Sequence, residues 1–404
     1  MKKALYSKIR NLFSDTMWSI MGLMLMNVVA QFVVYPIWAR ILGSEEYGNI
    51  IYILSIINIF SISFGSSANY ARMVESSKRS TQNGDYNLFL IIGNVVTAFG
   101  VVLIVYITTA SDTVLELVLI AVLACAIMWR FYCDVEYRMN LDYKGYFVYY
   151  LVISIGYVLG TVLFCFTHIW VLALLIGEIF GVVWIGIRGK LFSSFIKRSD
   201  FFSENLKMIF LLAATNIISN LVFNSDRVII KLFLNGTLVT VYYVSSLIGK
   251  TLSLVTTPLN SVLIGYLVRF KQTVSRKFVI AFIVGTVVVG VAASLACLVG
   301  SYILVPVLYP QEFEMAKSYF FVANAAQVVF FVTNVVTTVL LKFAKTRCQL
   351  IVNVFYGVGF CVLCIPAAYL YGLDAFCYAL LVVNLIRYVI SIAFFVLGVK
   401  NSNN

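Results

Sequence analysis

The stretch from Asn216 to Asn260 reads NIISNLVFNSDRVIIKLFLNGTLVTVYYVSSLIGKTLSLVTTPLN, two long apolar runs joined by a short polar link at Asn235-Gly236. An α-helix advances about 100° per residue, so Asn216, Asn220, Asn224, Arg227 and Lys231 fall within an arc of roughly 80°. In the second run Tyr243, Ser246, Lys250, Ser253 and Thr257 share one face. Adjacent apolar helices that each carry a polar, cationic stripe need a wet or protein-lined place to put it.

Composition sets the class around this stretch. The 404 residues are 62% hydrophobic and 11% charged, with a mean hydropathy of +0.98. A soluble domain is nearer half apolar and a quarter charged. Apolar runs long enough to cross a hydrocarbon core of about 30 Å recur along the chain. The expected fold is an all-α polytopic membrane protein. The ten-residue alternating segments of a β-barrel are not visible. About twelve spans can be read, near 16–36, 48–70, 87–109, 114–130, 146–166, 169–187, 207–226, 237–257, 278–304, 316–341, 349–371 and 374–398. The first follows a basic segment carrying Lys2, Lys3, Lys8 and Arg10 and lacks a cleavage site, so it reads as a retained helix.

Charge then orients the spans. With the N-terminus in the cytoplasm, 23 of the 29 Lys and Arg fall in inner segments, and acidic residues show no such bias. The net charge of +12 is mostly topology and gives no support to nucleic-acid binding. Both termini are expected in the cytoplasm and the chain in the cytoplasmic (inner) membrane. The midpoint falls at the basic linker Arg188 to Lys207. This predicts two six-helix bundles, residues 1–200 and 201–404, related as parallel repeats about the membrane normal. Asn27, Gln31, Tyr35 and Trp38 give the first helix a polar face like that of the seventh.

Two sequences carry a family resemblance: ARILGSEEYGNIIYI at 39–53 and SDRVIIKLFLNGTLVTVYYVSS at 225–246. With the turn Gly43, Tyr47 and Gly48, the span number and the loop distribution, the chain resembles the bacterial polysaccharide repeat-unit flippases. These belong to the multidrug/oligosaccharidyl-lipid/polysaccharide exporter superfamily. The resemblance implies a MATE-like fold with a central cavity lined largely by the first, second, seventh and eighth helices. It implies a monomer that turns an undecaprenyl-diphosphate-linked oligosaccharide from the inner to the outer leaflet by alternating access. Other polysaccharide assembly proteins, a polymerase and a chain-length regulator, would be its partners, and no cofactor is implied.

The residues bear on that expectation independently. Asn58, Ser61, Gly65, Asn69 and Arg72 form a stripe on the second span, and Asn324, Gln327, Asn334 and Thr338 another on the tenth. Any one stripe could serve helix–helix hydrogen bonding; five together favour a shared hydrophilic cavity. An Arg or Lys at the centre of a lipid-exposed helix costs about 2.5–3.5 kcal/mol on the lenient scale. An anionic headgroup gives Arg387, Lys250, Arg227 and Lys231 a reason to exist, since Arg forks match phosphate oxygens. Glu178, flanked by Gly177 and Gly181, reads as the only carboxylate inside a span. It is either an ion-coupling site or, the favoured reading, an ion-paired residue at a tight crossing, with Arg387 or Lys250 as partner.

Other signals are weaker. Cys361-x-x-Cys364 lies inside an apolar span without a second pair, so no metal site is expected. His168 is the only histidine and sits on an outer turn, and no phosphate-cradling Gly-rich loop with a following Lys-Ser/Thr is present. Neither a His-dependent catalytic triad nor an intrinsic ATPase is expected, and the chain reads as no enzyme. The alternatives are a cation-coupled multidrug antiporter of the same superfamily and, from another class, a membrane-embedded polysaccharide polymerase. Antiporters typically place a carboxylate in the first bundle's cavity, and Met17 to Trp38 has none. A polymerase needs a long outer loop bearing arginines, which this chain lacks. A lipid-II flippase usually carries two further helices.

Overall fold

The structure is a computed structural model that describes residues 17–18, 20–109, 113–252, 276–343 and 346–403. Helices dominate the described residues. In chain order they are α1 (Ile20–Leu42), α2 (Ser44–Ser76), α3 (Asn83–Thr109), α4 (Val114–Asn140), α5 (Tyr143–Thr167), α6 (Val171–Arg188), α7 (Phe202–Phe233), α8 (Gly236–Thr251), α9 (Arg276–Leu308) and α10 (Phe320–Phe343). The last two, α11 (346–371) and α12 (373–403), are joined without a loop. Gly372 breaks the helix there with φ 79° and ψ −159°, a conformation open mainly to glycine. The rings of Phe360 and Phe376 then lie 6.4 Å apart, which shows that the chain doubles back.

Ten helical stretches among the described residues are long and apolar enough to cross a membrane. The last of these, Ile351–Val399, contains both α11 and α12, and α8 has 16 described residues. The twelve-helix, all-α membrane fold expected from the sequence is therefore the one observed.

The helices outrun their apolar spans. α4 continues to Asn140, well past position 130, so Arg130, Asp134 and Arg138 lie within a helix rather than in a connection. Glu178 is accordingly not the only carboxylate inside a span. These charges are tolerated because they pair: Arg138 Nη2 lies 3.3 Å from Asp134 Oδ2, and Arg130 reaches Glu178. At the end of α2, Glu75 holds Lys78 and Arg79 in the same way.

Two helices contain a π turn, Ala30–Val34 in α1 and Phe360–Cys364 in α11. Each is followed two residues later by a proline, Pro36 and Pro366. Proline lacks the N–H and crowds the carbonyl four residues back, and a widened turn relieves both.

By contacts the chain forms two compact units. The first comprises the described residues up to Gly43 with Asn49–Val228, and the second Ser44–Gly48 with Ile229–Asn404. This division falls after Val228, inside α7. In the first unit α5 and α6 cross at glycines: a Cβ on Gly156 would strike the Cα of Gly177, and one on Gly160 would strike backbone carbonyls of α6. Close backbone approach of this kind is how helices pack where no hydrophobic drive separates them from lipid. The linker after α6 is pinned to α3. Asp85 accepts from Ser199 N, Ser199 Oγ and Asn205 Nδ2, while Asn83 and Asn87 donate to carbonyls of Lys190, Ser193 and Leu191.

Candidate functional site

Of the Gly43, Tyr47, Gly48 turn, Tyr47 and Gly48 belong to the second unit. Gly43 takes φ 82° between α1 and α2. Ser44 Oγ donates to Glu312 Oε1 at 2.9 Å, and Thr240 Oγ1 donates to the Ser44 carbonyl at 2.6 Å. Tyr47 is fully buried against Tyr243 and Tyr309, and Gly48 lies so close to the Gly236 backbone that no Cβ fits. Glu45 accepts from Gly236 N, Thr237 N and Thr237 Oγ1, capping α8 at the positive end of its dipole. Lys231 lies 3.7 Å from the same carboxylate, which is half exposed, so that pair contributes little.

The polar stripe on α7 is met by serines of the first unit. Asn216 Nδ2 donates to Ser67 Oγ at 2.8 Å and Asn220 Nδ2 to Ser63 Oγ at 3.1 Å. Asn220 and Asn224 also donate back to the turn preceding each. Asn27 does likewise, to Leu23. Gln31 lies in the π turn of α1, and Gln31 and Asn58 are half-buried.

Three expected cavity residues are core residues of the second unit instead. Ser246 is fully buried and donates to the Tyr242 carbonyl. Asn324 is fully buried: its Oδ1 accepts from Gly249 N at 2.7 Å and its Nδ2 donates to Ser245 O and Ser301 Oγ. Gln327 donates to the Tyr242 hydroxyl at 3.0 Å. Gly249 leaves the room that lets α10 bring Asn324 against the α8 backbone. Ser253 lies outside the described residues.

Of the four cations, Arg227 belongs to the first unit, and in the second unit Lys231 lies at the Glu45 corner. Lys250 Nζ stands 5.7 Å from the centroid of Tyr242, whose hydroxyl is held by Gln327. Arg387 lies deeper in the second unit, 7% exposed, with Nη2 donating to Asn334 Oδ1 at 2.9 Å. Its guanidinium carbon is 4.7 Å from the Phe330 centroid and 5.0 Å from that of Tyr356. Among the described residues, Nε and Nη1 are buried without a partner. Gln327 and Asn334, which stand at the two cation sites, are seven residues or about 10 Å apart along α10.

Among the described residues of the second unit, no carboxylate pairs with Arg387. The carboxylates of the second unit are Glu45, Glu46, Glu312, Glu314 and Asp374. All sit at one end, where Ser44 meets Glu312, Glu45 meets Gly236, and Phe233 meets Tyr369 just before Gly372. Even Asp374 is about 20 Å from Arg387 along α12.

Glu178 is the opposite case. It is fully buried, and both its oxygens accept from Arg130 Nε, at 2.9 and 2.8 Å. Tyr157 OH donates to Oε1 at 2.5 Å. Its partner is Arg130 of α4, not Arg387 or Lys250. Reading α4 as ending at 130 hid this, although a longer helix would have placed Arg130 inside the bundle. Among the described residues no group of three or more His, Cys, Asp or Glu could hold a metal ion.

No protein-family model matches the sequence, and no curated protein matches it. Solved structures do. The chain is similar to a Vibrio cholerae MATE transporter, VcmN in its bent form, at 13% identity and a TM-score of 0.62 over 98% of each chain. It is similar to a MATE solved in complex with MaD3S, at 12% identity and a TM-score of 0.65, covering 97% of this chain and 96% of that one. An inward-facing multidrug resistance MATE family transporter of the MOP superfamily matches at 12% identity and a TM-score of 0.63, covering 95% and 98%. The fold is that of the MATE transporters.

Proposed function

We propose that the chain is an alternating-access transporter of the cytoplasmic membrane whose cargo is an anionic amphiphile, an undecaprenyl-diphosphate-linked oligosaccharide carried from the inner to the outer leaflet. The observation that supports this reading is Arg387. Moving an ion from water into a protein interior costs several kcal/mol after relaxation. The hydrogen bond to Asn334 returns about 1.5–3 kcal/mol, and each desolvated ring contact about 2 kcal/mol. A carboxylate about 20 Å away adds less than about 1 kcal/mol at an effective dielectric of about 20. The site is thus balanced yet keeps two donors unused, an arrangement suited to phosphate oxygens and hostile to a cationic drug. Lys250, over the Tyr242 ring, is a second cation of the same unit available to the diphosphate. With the amino terminus inside, the carboxylate-rich end of the second unit faces outward and Arg387 lies about 20 Å inward from it, midway along α12.

A second reading, a cation-coupled multidrug antiporter, is favoured by the solved structures of this fold, which are MATE transporters and include a multidrug resistance protein. Reconstitution separates the two. Proteoliposomes should translocate a fluorescent polyprenyl-diphosphate sugar, with loss in Arg387→Gln and partial retention in Arg387→Lys. Ethidium counterflow driven by a proton or sodium gradient, without lipid translocation, would establish the antiporter instead.

A further inference from the structure

We infer that Arg387 and α11 form a ligand-operated hinge: a phosphate-bearing headgroup that engages Arg387 draws its guanidinium off Tyr356 and lets α11 bend at the π turn Phe360–Cys364. The inference rests on the anionic-cargo reading and adds how cargo would act on the protein.

Tyr356 is the link. Its ring lies under Arg387 and 5.8 Å from Phe330, and it stands one turn before the π turn. Tyr356, Phe360 and Cys364 recur every four residues and form the buried stripe of α11. Phe355, Val358 and Val362 on the other side are exposed. The stripe runs from the cation to the π turn, and Phe360 carries it onward to Phe376 of α12.

A Cβ on Gly357 would meet open space, and one on Gly359 would touch only the methyls of Val383. The π turn replaces regular helical bonding for five residues, and Pro366 removes one donor just beyond it. Kinks in helices arise at such positions. Here the ring that senses the cation and the segment that can bend belong to one helix and lie one turn apart.

A phosphate competes with the rings for the same guanidinium. Charge-assisted bonds to phosphate oxygens are stronger and more directional than a cation–π contact. As Nε and Nη1 turn toward the anion, Tyr356 loses the cation it covers, one of the contacts that hold the stripe. Without ligand, Arg387 holds Tyr356 and α11 stays in the conformation described.

The test is backbone hydrogen–deuterium exchange of the full chain in nanodiscs, with farnesyl diphosphate as probe and farnesol as control. Exchange at 360–368 should rise several-fold with farnesyl diphosphate and remain unchanged with farnesol. Arg387→Gln should abolish both binding and the rise. Tyr356→Leu should raise exchange with no ligand present, and Pro366→Ala should bind the probe with a blunted rise. Binding that depends on Arg387 with no change at 360–368, or a full rise in Pro366→Ala, overturns the hinge and leaves the anionic-cargo reading standing. Absence of farnesyl diphosphate binding to the wild-type chain overturns both.

Discussion

Arg130 and Glu178 offer the cleanest separation of structural from transport roles. The pair is buried on both sides, with side-chain exposures of 7% and 0%, and is braced by Tyr157. Removing one partner strands a charge beside the α5–α6 glycine crossing, where the helices leave no room for water. Breaking a buried pair in this way costs about 3–5 kcal/mol. Removing both charges together costs far less, because no uncompensated ion remains. We therefore expect Arg130→Met to lower stability in detergent strongly, with a steep loss of monodisperse protein after heating. Glu178→Gln should be milder, since the amide still accepts from Arg130 and Tyr157. The double variant Arg130→Met with Glu178→Gln should recover most of the stability lost by Arg130→Met. If the pair is structural, the recovered double variant should also translocate substrate. A double variant as stable as wild type but inactive in translocation would refute this reasoning and make the pair part of the transport cycle.

Further outcomes follow from the same geometry. Cysteines at Ser246 and Asn324 should resist a water-soluble maleimide in a variant lacking native cysteines, because both positions are core; rapid labelling would return them to a cavity wall. Asp85→Ala removes the acceptor of three bonds to Ser199 and Asn205, each worth about 1.5–3 kcal/mol as a bond to a charged group. Trypsin cleavage at Lys197 and Arg198 should then accelerate strongly relative to wild type. Gly156→Val or Gly177→Val should prevent folding by overpacking α5 against α6, and normal expression of either would contradict the close crossing. Topology reporters at Ser76 and Lys197 should signal cytoplasm and at Pro310 the outside, the orientation on which inner-leaflet loading depends.

Much of the fold was legible because hydrophobic length is a one-dimensional signal. Twelve spans could be counted from apolar runs, and the expected boundary between 371 and 374 falls on the break at Gly372. The helix ends were not legible from that signal, because α2, α4 and α7 continue past their apolar spans wherever their charges find partners. Arg130 was misplaced for that reason: its cost is removed by Glu178, 48 positions away, and a hydropathy scale assigns that cost to the residue alone.

The polar stripes show a second limit. A helical wheel gives the face a residue occupies and not what meets it. Asn216 and Asn220 meet serines, Asn324 meets the α8 backbone at Gly249, and Gln327 meets Tyr242, so polarity at these positions is largely absorbed by neighbours. Lys250 and Arg387 looked alike in sequence, each a cation inside a span. They differ in what surrounds them: Lys250 stands over Tyr242, whereas Arg387 is held by Asn334, covered by two rings and left with unused donors. That distinction depends on α10, α11 and α12 arriving together, and α11 is the one whose backbone is interrupted beside the site. The residue that sequence placed at the headgroup for its charge is, in three dimensions, also the one held by neutral side chains beside an interrupted helix.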